Sequence, residues 1–496
     1  MSPKNAPSGA SLALALVAIL SAPLPGHASD KTVLRPQLDL EQGWDSNIFN
    51  RSSGEEGSLV TRLSPALWLE NAGELGHARL GLTANGRSVW RESGLSGIDS
   101  NARGDFERKL TPRLSVFGDG ALEYYSGYQQ INGQDTTVLL SEQPAWKDDR
   151  LGAGFRYLLT PRLAVRLSGS AARVNYDRVA PFSVTASGRR VSNQSGNYRD
   201  RGSLDAAASL AYQLTALDEL TLAVDTDDTS YQSLSYQTPS NRNVSTGSND
   251  TSIWNTKLGW SRTWSPVWST AATIGVRAID TTQDGVSQSG AALGPECSII
   301  AAGPPCPVEL PPASFSSSGT GLIGSLAIQR TFARSLLRLS YDRDTRSTGG
   351  ASRVNFDIDS FRLSLTHQLA ERVKLSLVGD YTLYHSVSDK LPNYDPLLVG
   401  ATTCPLGTVE TQVPGPFGPF PVFQCIGGSS EEKREYTSLL ARIDWKMRRQ
   451  LNSYVVGRYY TSTTDQTFGS GSNIQTDAIN KFTLGIGFRY AWDLGL

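Results

Sequence analysis

Beyond residue 28 this 496-residue chain has no uninterrupted apolar run near the roughly 18–20 residues that a membrane-crossing helix needs, so no transmembrane helix is expected. Histidine is scarce. His27 lies ahead of the expected cleavage point, which leaves His77, His367 and His385 on three separate segments. No Ser-His-Asp constellation, metal cluster or phosphate-cradling loop can be assembled from them, which argues against an enzyme and against a bound metal or cofactor. His385, beside Ser386 and Ser388, is the sole candidate for barrel-lipase chemistry. A net charge of −1 offers nucleic acid no electrostatic footprint. Cysteine is limited to four, in two pairs, Cys297/Cys306 and Cys404/Cys425, each inside a Pro/Gly-rich insertion. Three pairings are formally possible. An exported chain permits disulfides, and 297–306 with 404–425 are expected because each staples its own loop. Metal binding is the alternative, but no His lies nearby and the spacing fits no zinc pattern.

Residues 1–28 read as a secretory signal: Lys4 supplies the positive n-region, Leu12 to Leu20 the apolar stretch, and Gly26-His27-Ala28 the small-residue cleavage site before Ser29. No cysteine follows the cut, so a lipoprotein anchor is not expected. Residues 29–496 then form the mature unit.

The clearest pattern is near the C-terminus. Phe482, Leu484, Ile486, Phe488, Tyr490 and Trp492 alternate with Thr483, Gly485, Gly487, Arg489, Ala491 and Asp493. A period of two means strand. One large apolar face and one small or charged face is the signature of a transmembrane β-barrel strand. Average hydropathy stays low in such barrels because only alternate residues meet lipid.

The mature sequence repeats strand, very short turn, strand, long polar loop. Leu110-Thr111-Pro112-Arg113-Leu114 and Leu159-Thr160-Pro161-Arg162-Leu163 are near copies, echoed around Pro266, Ala333, Glu371 and Arg449. Asn71 to Gly76 and Thr215 to Glu219 complete the set. Proline in a tight turn fixes φ and ends both strands. Eight hairpins, a leading strand near Pro36 to Trp44 and a closing strand predict an all-β, antiparallel, up-and-down transmembrane barrel of about 18 strands. An even count puts both termini on the periplasmic side. The long loops, 280–317 and 385–432 the largest, fall outside the cell.

Charge placement supports the parity, because an Arg or Lys facing lipid at the bilayer centre costs about 2–4 kcal/mol. Candidate lumen-facing residues are Asp105, Glu107, Asp119, Glu123, Arg156, Arg166, Asp225, Arg277, Arg338, Arg362, Asp380, Arg442, Asp444 and Arg489, with Asp39, Glu41 and Arg458 beside them. Arg108, Arg262, Arg330 and His367 share the lipid-facing parity but lie next to short turns, where a cation snorkels to head groups. Trp264, Trp268 and Trp445 predict one aromatic girdle; Trp90, Tyr124, Tyr176 and Tyr384 predict the other. No single-sign ring emerges among the inward charges. The Pro- and Phe-rich stretch from Pro414 to Phe423 is read either as an inward constriction or as an extracellular cap.

The segment Gly43-Trp44-Asp45-Ser46-Asn47-Ile48-Phe49 is similar to the Tyr-Asp-Ser-Asn-Val-Phe signature of the β-barrel porin 2 family, outer-membrane barrels associated with exopolysaccharide operons. Trp44 stands where that family has Tyr. The chain ends in Leu496 and not in an aromatic residue, so Trp492 or Phe488 would serve as the assembly signal. A local reading also exists: Asp45, Ser46 and Asn47 are turn formers that end a strand. The resemblance implies an outer-membrane pore exporting an exopolysaccharide polymer, working with a periplasmic polysaccharide-export protein. A diffusion porin, general or solute-specific, is the alternative, and an adhesive or structural surface barrel the second. The first strand starts so near the cleavage site that a plug domain, and with it active import, is not expected. Outer-membrane lipid is an expected partner, and nucleic acid is not.

Overall fold

The period-two segments become eighteen antiparallel strands in a computed structural model, and the sheet they form is closed. The structure describes residues 31–48, 54–126, 145–177, 182–184, 190–192, 200–232, 234–237, 243–246, 248–289, 310–347, 355–386, 408–413, 420–425, 430–468, 473–492 and 494–495. The wall begins with β1 (Lys31–Asp45), β2 (Ser58–Gly73), β3 (Gly76–Val89), β4 (Gly97–Lys109), β5 (Leu114–Tyr125) and β6 (Trp146–Thr160). It continues through β7 (Leu163–Tyr176), β8 (Arg201–Gln213), β9 (Asp218–Tyr231), β10 (Asn249–Ser265), β11 (Trp268–Ser289) and β12 (Leu310–Thr331). It ends with β13 (Ser335–Ser347), β14 (Asn355–Ala370), β15 (Val373–Ser386), β16 (Ser430–Lys446), β17 (Leu451–Phe468) and β18 (Asn473–Ala491). Each strand pairs with the next. β1 also pairs with β18, from Gln37↔Ala491 to Asp45↔Thr483, which closes the ring.

Membrane placement follows from what each face presents. Ile274 and Leu322 stay 65% and 63% exposed, and such side chains recur at every second position around the outer surface. A row of aliphatic residues open to the surroundings on one face, with charges on the other, is stable only when those surroundings are lipid.

The short turns are built by hydroxyls as much as by proline. Thr111 Oγ1 accepts the N–H of Arg113 at 3.2 Å and of Leu114 at 3.0 Å. Thr215 Oγ1 does the same for Leu217 at 3.1 Å and Asp218 at 3.0 Å, in a turn without proline. A hydroxyl that satisfies two turn amides lets the strand reverse without a longer loop.

Several expectations need correction. Strands β11 and β12 run far past the predicted start of the 280–317 loop, to Ser289 and from Leu310. Strand pairs outside the membrane need no apolar face, so hydroxyl-rich sequence such as Thr281 to Ser289 hides them. The 385–432 segment likewise contains a hairpin, Thr408–Val413 with Phe420–Cys425. Tyr384 and Tyr176 do not belong to an outer girdle. Tyr384 packs inside the lumen against Ile358 and Tyr436, and Tyr176 lies 6.3 Å from Trp146 on the inner face. The signal segment, Cys297, Cys306, Cys404 and the side chain of Cys425 lie outside the described residues, and the two disulfide pairings with them.

Candidate functional site

The polar inner wall gathers into two assemblies and a looser acidic stretch. One assembly bridges the closure between β1 and β18. The inner face of β18 there is Gly485 and Gly487, and their missing side chains leave a trough into which residues from the strands on both sides lean. From β17, the Tyr454 hydroxyl donates to Asp39 at 2.7 Å and approaches Glu41 at 3.2 Å. Arg489 pairs with Asp39 at 2.8 Å, Arg458 with Glu41 at 3.3 Å, and Arg62 with Glu41 at 2.5 Å. Arg442 pairs with Asp444 at 2.7 Å and lies 3.9 Å over the Tyr454 ring. Glu41 and Tyr454 are buried beneath their partners. This network is a structural join.

The segment that suggested a family completes the join at the outer end. Asp45 holds Lys481 at 2.9 Å, with both side chains almost fully buried. The Asn47 amide N–H donates to Asp45 at 3.1 Å, and Asn47 Nδ2 donates to the Asn480 carbonyl at 3.2 Å. Ser46 N–H donates to the Phe482 carbonyl at 2.9 Å, and Phe482 N–H donates back to Ser46 Oγ at 2.9 Å. Ile48 closes a small apolar cluster with Val60, Val89 and Leu95. The segment therefore ties the first strand to the last.

The second assembly is a recess of about 840 Å³ in the lumen wall across β10 to β15. Its floor is small and hydroxylated: Thr273, Ser325, Ser340 and Ser364, with Thr273 and Ser325 bonded at 2.7 Å. Thr273 faces Ser325, while Ser340 stands opposite Arg362 and Ser364 opposite Arg338, so short and long side chains alternate around the hollow. Lys257 pairs with Asp225 at 2.9 Å, and Asn255 joins Asp225 to Arg277, which it accepts at 2.6 Å. Arg277, nearly buried, crosses over β12 to Asp344 at 2.5 Å. Arg362 pairs with Asp380 at 3.3 Å and stays 41% exposed. Arg338 is exposed in the same recess and makes no ion pair or side-chain hydrogen bond among the described residues.

All the sequence-predicted lumen residues lie on the face opposite the exposed aliphatics, but they do not form one site. Arg277, Arg338, Arg362 and Asp380 meet in the recess, with Asp225 at its edge. Arg442, Asp444 and Arg489 belong to the closure join. Asp105 and Asp119 face each other across β4 and β5, with His77 3.5 Å from Asp105, and Glu107 stands opposite Phe117. Glu123 is taken up by Arg103 at 2.5 Å and by Tyr125 at 2.6 Å. Arg156 and Arg166 oppose each other, and Arg166 relieves the repulsion by lying 4.2 Å over Phe117. Sequence reasoning passed over Lys257, Asn255, Asp342 and Asp344. Strand parity marks them as inward, but only the register shows what they touch.

No family model matches this chain, and no curated protein does. Solved structures are similar at fold level. The siderophore receptor PirA of Acinetobacter baumannii is 10% identical over 94% of this chain and 81% of its own, with a TM-score of 0.47. The ferric-catecholate import receptor Fiu of E. coli, in its open form, is 8% identical over 94% and 82%, with a TM-score of 0.44. The copper transporter OprC is 8% identical over 92% and 83%, with a TM-score of 0.43. The protein is an outer-membrane β-barrel. Against the exopolysaccharide export and the diffusion porin expected from the sequence, the similar solved structures are a siderophore receptor, a ferric-catecholate import receptor and a copper transporter. The polysaccharide-export partner and the polymer cargo find no support among these similarities. The adhesive alternative rested on residues 280–317, of which 290–309 lie outside the described residues.

Proposed function

We propose that this barrel takes up a small anionic ligand from outside the cell, holding it at the recess of β10 to β15 before it passes inward, without a catalytic step. The observation that carries the reading is Arg338: an exposed guanidinium in a hollow of about 840 Å³, with no salt bridge or side-chain hydrogen bond among the described residues and only the more distant Asp342 of its own strand acting on it, while Lys257, Arg277 and Arg362 are paired around it. The volume is in the range of small-molecule sites, roughly 300–1,000 Å³, and the hydroxyl floor supplies further donors. An Arg fork binds carboxylate or phosphate oxygens in pairs, and Arg362 is exposed enough to join it. Ferric siderophores, the ligands named for two of the similar receptors, include anionic chelates, and this chemistry suits the recess.

Removal of residues 1–28 on export belongs to the same proposal, with the mature chain starting at Ser29. The likeness of Trp44 to Phe49 to the β-barrel porin 2 family remains a proposal of shared ancestry alone.

The test is calorimetry on the full chain purified in detergent, with ferric citrate, a ferric catecholate and inorganic phosphate as probes. At least one should bind, and Arg338→Ala should weaken it about tenfold or more, the loss of a charge-assisted pair. Absence of binding by all three, or equal binding by wild type and Arg338→Ala, overturns the reading.

A further inference from the structure

The outer, membrane-facing surface is not smooth. A groove of about 870 Å³, apolar in its lining, crosses it from β1 to β6. Its course follows from the register. Pro36 stands opposite Leu67, Leu67 opposite Leu82, Leu82 opposite Ala102, Ala102 opposite Leu122, and Leu122 opposite Asp149. The adjoining row holds Pro65, Ala84 and Ser100 before Tyr124 and Lys147. Short side chains at Pro65, Ala84, Ser100 and Ala102 make the floor, and Leu38, Leu67, Leu82 and Leu122 make the sides.

The groove also has a direction. It starts at Pro36, the sixth of the fifteen residues of β1, opposite Leu67 and six residues above the end of β2 at Gly73, where the Trp492 amide donates to the Pro36 carbonyl at 3.0 Å, and it finishes at the outer end of β6. Five strand spacings of about 4.8 Å, tilted by about 40°, rise roughly 15 Å, half of a hydrocarbon core about 30 Å thick. At its outer end stand Lys147 and, across from Asp149, Arg173. Both cations are exposed, on the lipid-facing parity, with one carboxylate between them.

We propose that this groove is a binding site for a phosphate-bearing lipid of the outer leaflet, with an acyl chain along the floor and the phosphate between Lys147 and Arg173. A hollow on the lipid face fills from the bilayer, and the length of one leaflet is the length of one chain. Surplus positive charge at head-group depth selects an anionic head.

Native mass spectrometry tests the site on the full chain, purified in detergent and equilibrated with lipid A or with the same lipid dephosphorylated. Wild type should retain lipid A in preference to the dephosphorylated form. Ser100→Leu with Ala102→Leu, which fills the floor, should reduce retention of lipid A at least fivefold while heat-modifiable gel mobility reports a folded barrel. Lys147→Glu with Arg173→Glu alters only exposed side chains and should abolish the preference for phosphate. Undiminished retention by the filled groove, equal retention of both lipids by wild type, or a lipid-free dimer that the leucines dissociate would each overturn the proposal. None of these outcomes depends on ligand uptake through the lumen.

Discussion

The Tyr454 hydroxyl donates to Asp39 at 2.7 Å by passing over Gly487, so β17 and β1 are bonded across the strand that separates them. A Cβ at Gly487 would collide with the Tyr454 ring, and one at Gly485 would sit 3.2 Å from the Glu41 carboxyl carbon. Gly487→Ala is therefore expected to expel the ring, break its bonds to Asp39 and Glu41, and cost about 1–3 kcal/mol. Urea unfolding of the barrel in detergent measures it. Gly457, which has open space around its Cβ, is the control and should accept Ala with little change.

Asp45 and Lys481 form a buried pair, 3% and 5% exposed. Lys481→Met strands the carboxylate of Asp45 and should cost about 3–5 kcal/mol, whereas Asp45→Asn combined with Lys481→Met should cost much less. A double-mutant cycle on the unfolding midpoint separates the two outcomes.

Depth should govern tolerance of charge on the lipid face. Ile486→Arg, placed between the outer join at Phe482 and the periplasmic end of β18 among exposed aliphatics, is expected to destabilise by roughly 2–4 kcal/mol in a bilayer. The native Arg108 beside its short turn shows the other limit, and Arg108→Leu should change stability by less than about 1 kcal/mol. Folding titrations in phospholipid vesicles compare them.

Arg277 and Arg338 share a recess but not a role. Arg277 is tied to Asn255 and Asp344, so Arg277→Ala should lower stability by about 1–3 kcal/mol, chiefly by leaving the buried Asn255 carbonyl oxygen without its donor. Arg338→Ala should leave the unfolding midpoint within about 0.5 kcal/mol of wild type. A Arg338→Ala barrel that unfolds as easily as Arg277→Ala would mean that Arg338 braces the wall.

Much of this architecture was readable before any coordinates. Strand number and facing were legible because Leu, Phe and Trp recur at every second position, and Thr-Pro turns punctuate them. Pairings that skip a strand were not. Arg277 reaches Asp344 across the whole of β12, and nothing in the spacing of residues 277 and 344 announces it. Tyr384 was misplaced because its depth was weighed ahead of its parity: it lies three positions from the lipid-facing Tyr381, hence on the other face. The Trp44 to Phe49 segment was recognisable as a motif, but its work on Asn480 to Phe482 is visible only when the ends of the sheet meet.

Asn47 and Asn480 are 433 positions apart, and their contact exists only once almost every other strand is in place. Bringing such distant groups together is the slowest kind of step in folding. Until β18 arrives, β1 has an unpaired edge along its whole length, open to any passing strand. The cell therefore has to guard that edge during biogenesis, and a variant that weakens Asp45 or Asn47 prolongs the interval in which misassembly competes.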